Sequence, residues 1–100
     1  MKFEIKGETV SVAEIKELGA DNSRDFRDQV QAALPEKFKH IEIDLSQTRF
    51  LDSCGLGALI SLRKAAGSRN GTVRLLNPTP RVQRLFDVTR MHKIFEIVHG

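Results

Sequence analysis

Residues Ile43 to Ala65 read IDLSQTRFLDSCGLGALISLRKA, and this stretch decides the architecture. It continues the segment HIEIDL, His40 to Leu45, where Ile41, Ile43 and Leu45 alternate with polar residues. That period of two predicts a strand with one buried face. From Ser53 to about Ala66 the apolar residues Leu56, Leu59, Ile60 and Leu62 recur at helical spacing. A strand passing through a short loop into a helix is half of a βαβ unit.

The rest of the chain repeats this alternation, with no linker, repeat or low-complexity segment. Phe3 to Ile5 and Val10 to Ile15 read as short strands around a turn at Gly7-Glu8. Asp21, Asn22 or Ser23 caps a helix running to about Leu34, whose apolar stripe is Phe26, Val30, Ala33 and Leu34. Pro35 stops it. Gly67 to Gly71 is a turn, and TVRLLN, Thr72 to Asn77, is a strand. PTPRVQRLFDV opens with prolines and continues as a third helix that buries Val82, Leu85 and Phe86. KIFEIV, Lys93 to Val98, reads as a strand or a short helix, and its period does not decide between them. The expected fold is α/β, a single small domain over residues 1–100, with helices packed against a mixed sheet. The strands before the second and third helices are expected to be parallel neighbours. The loop and helix start at FLDSCGLG then lie at the strand-to-helix edge, where α/β sheets meet ligands and partners.

Composition narrows the function. One hundred residues suit one domain, and 40% hydrophobic residues are ordinary for a globular chain. No apolar run approaches the ~18 residues of a membrane span. The alternating start Met1-Lys2-Phe3-Glu4-Ile5-Lys6 reads as a strand, not as a signal peptide. A single cysteine forms no internal disulfide, and a reducing cytoplasm is the expected setting. The net charge of +3 is uneven: residues 1–50 carry eight Lys/Arg against ten Asp/Glu, and residues 51–100 carry eight against three. The basic residues Arg63, Lys64, Arg69, Arg74, Arg81, Arg84, Arg90 and Lys93 are dispersed, with few aromatics among them. A solvated basic face fits this better than direct nucleic-acid contact.

The helix start itself is unusual. Asp52, Ser53 and Cys54 stand before Gly55 and Gly57, and a glycine inside a helix costs roughly 1 kcal/mol against alanine. A helix N-terminus presents free N–H groups and the positive end of a dipole. A phosphate on Ser53 would be received there, and would add about −1.5 to −2 charges beside Asp52. On this reading Gly55 and Gly57 leave backbone open to another protein. The plainer reading is a capped helix with Gly55 or Gly57 packed against a strand. Cys54 stands at a helix N-terminus, a place for a reactive thiol, but no His stands near it in sequence, and a small buried residue is expected. His40, His92 and His99 lack metal-ligand spacing and read as solvent-facing or locally bonded. Asp44 reads as structural, ending its strand and bonding the following loop. No catalytic triad, P-loop or metal cluster is visible, so neither an enzyme nor a cofactor is expected.

The segment Asp44-Leu45, Leu51 and Asp52-Ser53-Cys54-Gly55-Leu56 resembles the central signature of the STAS domain family, the anti-sigma-factor antagonists. That signature is a strand ending in Asp-Leu, a short loop, a hydrophobic residue, then Asp-Ser-(Ser/Thr/Ala)-Gly-Leu and a helix. Downstream, VRLLNPTPRVQRLFDVTRMHKIFEIV is similar to the family's strand, Pro-x-Val-x-x-Leu-(Leu/Phe) helix and closing Phe-x-(Ile/Val) segment. The resemblance covers most of the chain from about Val10. Two positions depart from it: Gly19 stands where the family often has Asp, with Asp21 close by in sequence, and Cys54 follows the serine.

The resemblance implies a cytoplasmic bacterial phosphoprotein in transcription regulation. Unphosphorylated, it binds an anti-sigma factor that is also a serine protein kinase, and so releases a sigma factor. Phosphorylation of Ser53 ends binding, and a serine phosphatase restores it. ATP and its magnesium belong to the kinase. The expected partner-binding residues are Arg49, Phe50, Leu51, Asp52, Ser53, Cys54, Gly55, Leu56, Gly57, Ser61 and Lys64, with no membrane insertion. A second role of the same fold is an accessory STAS subunit of a membrane ABC-type transporter, gripping the transporter's ATPase with the same helix.

Overall fold

A tight turn at Gly7, whose φ of 59° suits glycine, folds the first strands into a hairpin. The computed structural model describes residues 1–100. In chain order its elements are β1 (Lys2–Lys6), β2 (Thr9–Ala13), β3 (Glu17–Leu18), α1 (Ser23–Ala33), β4 (His40–Asp44), β5 (Phe50–Leu51), α2 (Ser53–Gly67), β6 (Thr72–Leu76), α3 (Pro80–Thr89), a 3-10 turn at Met91–Lys93, and β7 (Glu96–Val98).

The main sheet runs β1-β2-β4-β6-β7. β1 is antiparallel to β2, and the other neighbours are parallel, so the sheet is mixed. As expected, the strands preceding α2 and α3 are parallel neighbours: β4 pairs with β6 from His40↔Thr72 to Asp44↔Leu76. Alternation puts Val10, Val12, Ile41, Ile43, Val73 and Leu75 on one face. There they join one cluster of 21 buried residues that also takes in Phe26 and Val30 of α1, Leu56, Leu59 and Leu62 of α2, and Val82 and Phe86 of α3. The single cluster makes this one domain with one core. The opposite face carries the polar row Ser11, Glu42, Arg74 and Glu96, with Arg74 holding Glu42 at 3.1 Å and Glu96 at 3.0 Å. These pairs are solvent-screened and stabilise by at most about 1 kcal/mol each.

The structure refines several element ends. β2 stops at Ala13, short of the expected Ile15, because Glu14 turns left-handed with φ 59°. Ile15 is still buried. α1 ends at Ala33, and Leu34 is extended with ψ 124°, as a residue before proline must be. α3 starts as its prolines predict: Thr79 caps it, accepting from Val82 N–H at 3.4 Å, with Pro80 in the first turn. Thr79 Oγ1 also donates to the Thr48 carbonyl at 3.0 Å, and the buried Thr48 hydroxyl donates to the Ile15 carbonyl. These bonds hold the loop before β5 between β2 and α3. The segment of undecided period divides between the 3-10 turn and β7. The two-residue parallel pair β3–β5 has no counterpart in the sequence pattern, since two residues show no period.

Candidate functional site

The site is built where β5 meets α2. Leu51 is buried and paired in register with Leu18 of β3, which anchors the chain entering the helix. Asp52 follows in extended conformation and is the N-cap. Its Oδ1 accepts from the N–H groups of Cys54 at 2.9 Å and Gly55 at 3.0 Å. Its Oδ2 accepts from Ala20 N–H at 3.0 Å. One carboxylate thus fills the helix N-terminus and ties it to the loop between β3 and α1. That loop is tied again by Asn22, whose Oδ1 accepts from Gly19 N–H at 2.9 Å and whose Nδ2 donates to the Glu17 carbonyl at 2.8 Å. Asn22 stands at the cap position of α1, but its side chain serves this loop instead of the helix.

This arrangement corrects two expectations. The N–H groups of Cys54 and Gly55, expected to receive a phosphate on Ser53, already donate to Asp52, so a phosphate there would meet the carboxylate. Gly55 does not leave backbone open to a partner: it is buried, and a Cβ there would lie 2.3 Å from the Leu18 carbonyl oxygen. Leu51 and Leu56 are likewise buried and support the surface from below. Gly57 is different, exposed and with nothing within 4 Å of a Cβ built on it. A third correction concerns Cys54, expected to be buried and in fact exposed on the first turn.

The remaining expected residues do lie at the surface. Arg49, Phe50, Ser53, Cys54, Gly57 and Lys64 are exposed, and Ser61 is half-buried, its hydroxyl donating to the Gly57 carbonyl at 3.1 Å. Ser53, Gly57, Ser61 and Lys64 recur at helical spacing, so they share one face of α2. Gly19 is buried, and a Cβ there would meet Phe50 Cε2 at 2.8 Å and Asp52 Oδ2 at 2.9 Å. The ring of Phe50 and the Asp52 carboxylate therefore occupy the space that a side chain at Gly19 would need. Asp21 lines the same small cleft as Asp52 and Gly19. Ala20 and Asn22 were not legible as site residues: the first contributes only its backbone, and the second was one of three equal cap candidates. His40 bonds Thr72 at 3.0 Å, and His92 and His99 are exposed; no group of His, Cys, Asp or Glu is arranged to hold a metal. Asp44 bonds the next loop as expected, accepting from Ser46 N–H at 2.9 Å.

Asp52 has its carboxyl held below the ordinary value of about 3.8, chiefly by the Gly55 N–H; desolvation opposes this, and the N–H groups of Ala20 and Cys54 add to the lowering. The folded protein therefore binds a proton less readily than the unfolded chain. The resulting stability is present above the ordinary value and is lost as pH falls through the folded one. Asp52→Asn keeps an acceptor but no charge. It is expected to flatten the acid limb of stability measured by urea unfolding between pH 5 and pH 2, and acid limbs of equal slope in both proteins would refute this role.

Comparison with known proteins places the chain in a family. The family model described as "Mlab, STAS domain" matches residues 1–98. A STAS-domain containing protein of Pseudomonas aeruginosa is 31% identical over 74 residues, which are 74% of this chain and 72% of that protein. The anti-sigma F factor antagonist of Paenibacillus polymyxa is 30% identical over 82 residues, 81% of this chain and 70% of that one. Among solved structures, the anti-sigma factor antagonist SpoIIAA in its unphosphorylated form superimposes with a TM-score of 0.86 at 22% identity, over 99% of this chain and 86% of that one. The murine anion transporter Slc26a9 matches with a TM-score of 0.70 at 23% identity, over 87% of this chain but 14% of the transporter.

Proposed function

Because the chain belongs to the STAS domain family, we propose that it is a cytoplasmic anti-sigma-factor antagonist, a binding module switched at Ser53. Unphosphorylated, it docks on an anti-sigma factor with serine kinase activity and frees a sigma factor; a phosphatase resets it. The observation that carries this reading is the exposed Ser53 as first residue of α2, on one face with the exposed Gly57. A partner approaching this face meets backbone at Gly57, not a side chain. The name of the Paenibacillus polymyxa relative supports the partner class. No helix is long and apolar enough to cross a membrane.

The switch is electrostatic. Asp52 already fills the cap, so a phosphate on Ser53 adds about −1.5 to −2 charges next to an existing one at the docking surface. The core beneath is untouched, so the domain stays folded while the partner is repelled. Incubation with the cognate kinase and ATP is expected to place one phosphate, on Ser53, by mass spectrometry. It is expected to weaken partner binding by about 1–3 kcal/mol in a titration. Ser53→Ala should bind constitutively and Ser53→Asp poorly. Gly57→Trp should weaken binding with an almost unchanged melting temperature. Phosphate elsewhere, or equal affinity of both forms, would defeat the switch.

The second reading, an accessory subunit that grips the ATPase of an ABC-type transporter, uses the same fold and the same helix face; the likeness to part of an anion transporter shares the fold alone. A pull-down from native cells separates the two. Recovery of a transporter ATPase equally by the wild type and Ser53→Asp supports the subunit; recovery of an anti-sigma factor by the wild type alone supports the switch.

A further inference from the structure

Between β5 and α3 lies a groove of about 390 Å³, most of whose lining is outside the α2 face. Leu51 and Val82 form its buried floor. Phe50, 47% exposed, Val88, 75% exposed, and Leu85 also line it. Val88 is the most exposed large hydrophobic residue of the chain. α3 anchors itself to the core through Val82 and Phe86, so Val88 is not needed for its own packing. Arg81 and Arg84 complete the lining. Both are exposed, and none of the four ion pairs of the chain involves either. The carboxylate of Asp87, on the same helix, is engaged by Gln83 Nε2 at 2.9 Å.

An apolar slot beside two guanidinium groups that make no ion pair is complementary to apolar side chains flanked by carboxylates. A second copy of this chain would bring its own arginines against these, so like charges oppose a symmetric dimer through the groove. We propose that the groove receives an acidic amphipathic helix of a partner protein, with its apolar residues seated between Phe50 and Val88 and its carboxylates meeting Arg81 and Arg84. Such a helix-in-groove contact reads apolar anchors at i, i+3, i+4 and i+7. The proposal rests on the reading of the α2 face as a partner surface, to which the groove is joined through Phe50.

The test titrates ¹⁵N-labelled protein with a synthetic helical peptide bearing Leu at i, i+3, i+4 and i+7 and Glu on its other faces. Two controls replace every Glu by Lys, or scramble the order of Leu and Glu. Amide shifts are expected at residues 50–51 and 81–88. The Lys and scrambled peptides are expected to bind on the order of tenfold more weakly, and so is the Glu peptide to the double variant Arg81→Glu, Arg84→Glu and to Val88→Asp. All three substituted residues are exposed, and circular dichroism verifies that the variants fold. Equal binding of the Lys or scrambled peptide, or shifts confined to another surface, would overturn the proposal. So would shifts at these residues that grow with protein concentration without peptide, because they would assign the face to a second copy. The peptide needs no kinase and no phosphate. A chain phosphorylated on Ser53 that ignores the peptide overturns the groove alone; one that binds the peptide and is never phosphorylated overturns the switch alone.

Discussion

Gly71→Ala is expected to destabilise the domain by about 3 kcal/mol, the upper end of the cost of overpacking. A Cβ at Gly71 would lie 1.5 Å from the carbonyl oxygen of Lys39 and 2.4 Å from its carbonyl carbon. Both are backbone atoms, so no side-chain rotation relieves the overlap. The same carbonyl accepts from Thr72 N–H at 3.1 Å, and Gly71 N–H donates to the Ala66 carbonyl at 2.8 Å. Moving the strands apart would break the bond that opens the β4–β6 ladder, and with it the turn that brings α2 back to the sheet. In a domain of this size each kcal/mol lowers the melting temperature by roughly 4–8 °C. A fall of the order of 12–24 °C is expected in a thermal unfolding scan. A variant that melts within a few degrees of the wild type would show that the approach of Gly71 to Lys39 is not a tight constraint.

Gly55→Ala is expected to cost about 2–3 kcal/mol, while Gly57→Ala stabilises by about 0.4–1 kcal/mol. The two glycines have one residue between them and face opposite ways. At Gly55 an added methyl would meet the Leu18 carbonyl oxygen at 2.3 Å and push the first turn of α2 off β3. At Gly57 the methyl meets nothing and only restricts the unfolded chain. The Gly55 variant is also expected to bind the partner weakly, because displacing the first turn moves Ser53 and strains the Asp52 bonds to Gly55 and Ala20. Urea unfolding of the two variants side by side is the measurement. Shifts of the same sign would overturn the assignment of Gly55 to internal packing and Gly57 to the open surface.

Much of the fold was legible because it depends on local pattern. Alternation in His40 to Leu45 marked a central strand and its buried face, and the spacing of Leu56, Leu59 and Leu62 marked the packed face of α2. Pro35 and Pro80 marked a helix end and a helix start, because the proline ring acts on its own backbone and that of its neighbour. Asp-Ser before a helical run marked the cap. From these the mixed sheet, the parallel pairing of β4 with β6 and the place of Ser53 followed. The tertiary structure alone decided what fills the space around the cap. β3 joins β5 across more than thirty residues of chain with only two residues in each strand, too few to show a period. Asp52 Oδ2 reaches Ala20 N–H at 3.0 Å, which pins the capping carboxylate to the loop between β3 and α1. Cys54 faces solvent and Gly55 faces Leu18 because β3 covers one side of the first turn of α2 and leaves the other open. The reason is the same in each case. Sequence period reports the backbone's own geometry and the side each residue takes, whereas occupancy of a given space depends on segments distant in sequence, and their approach is set by the packing of the whole core.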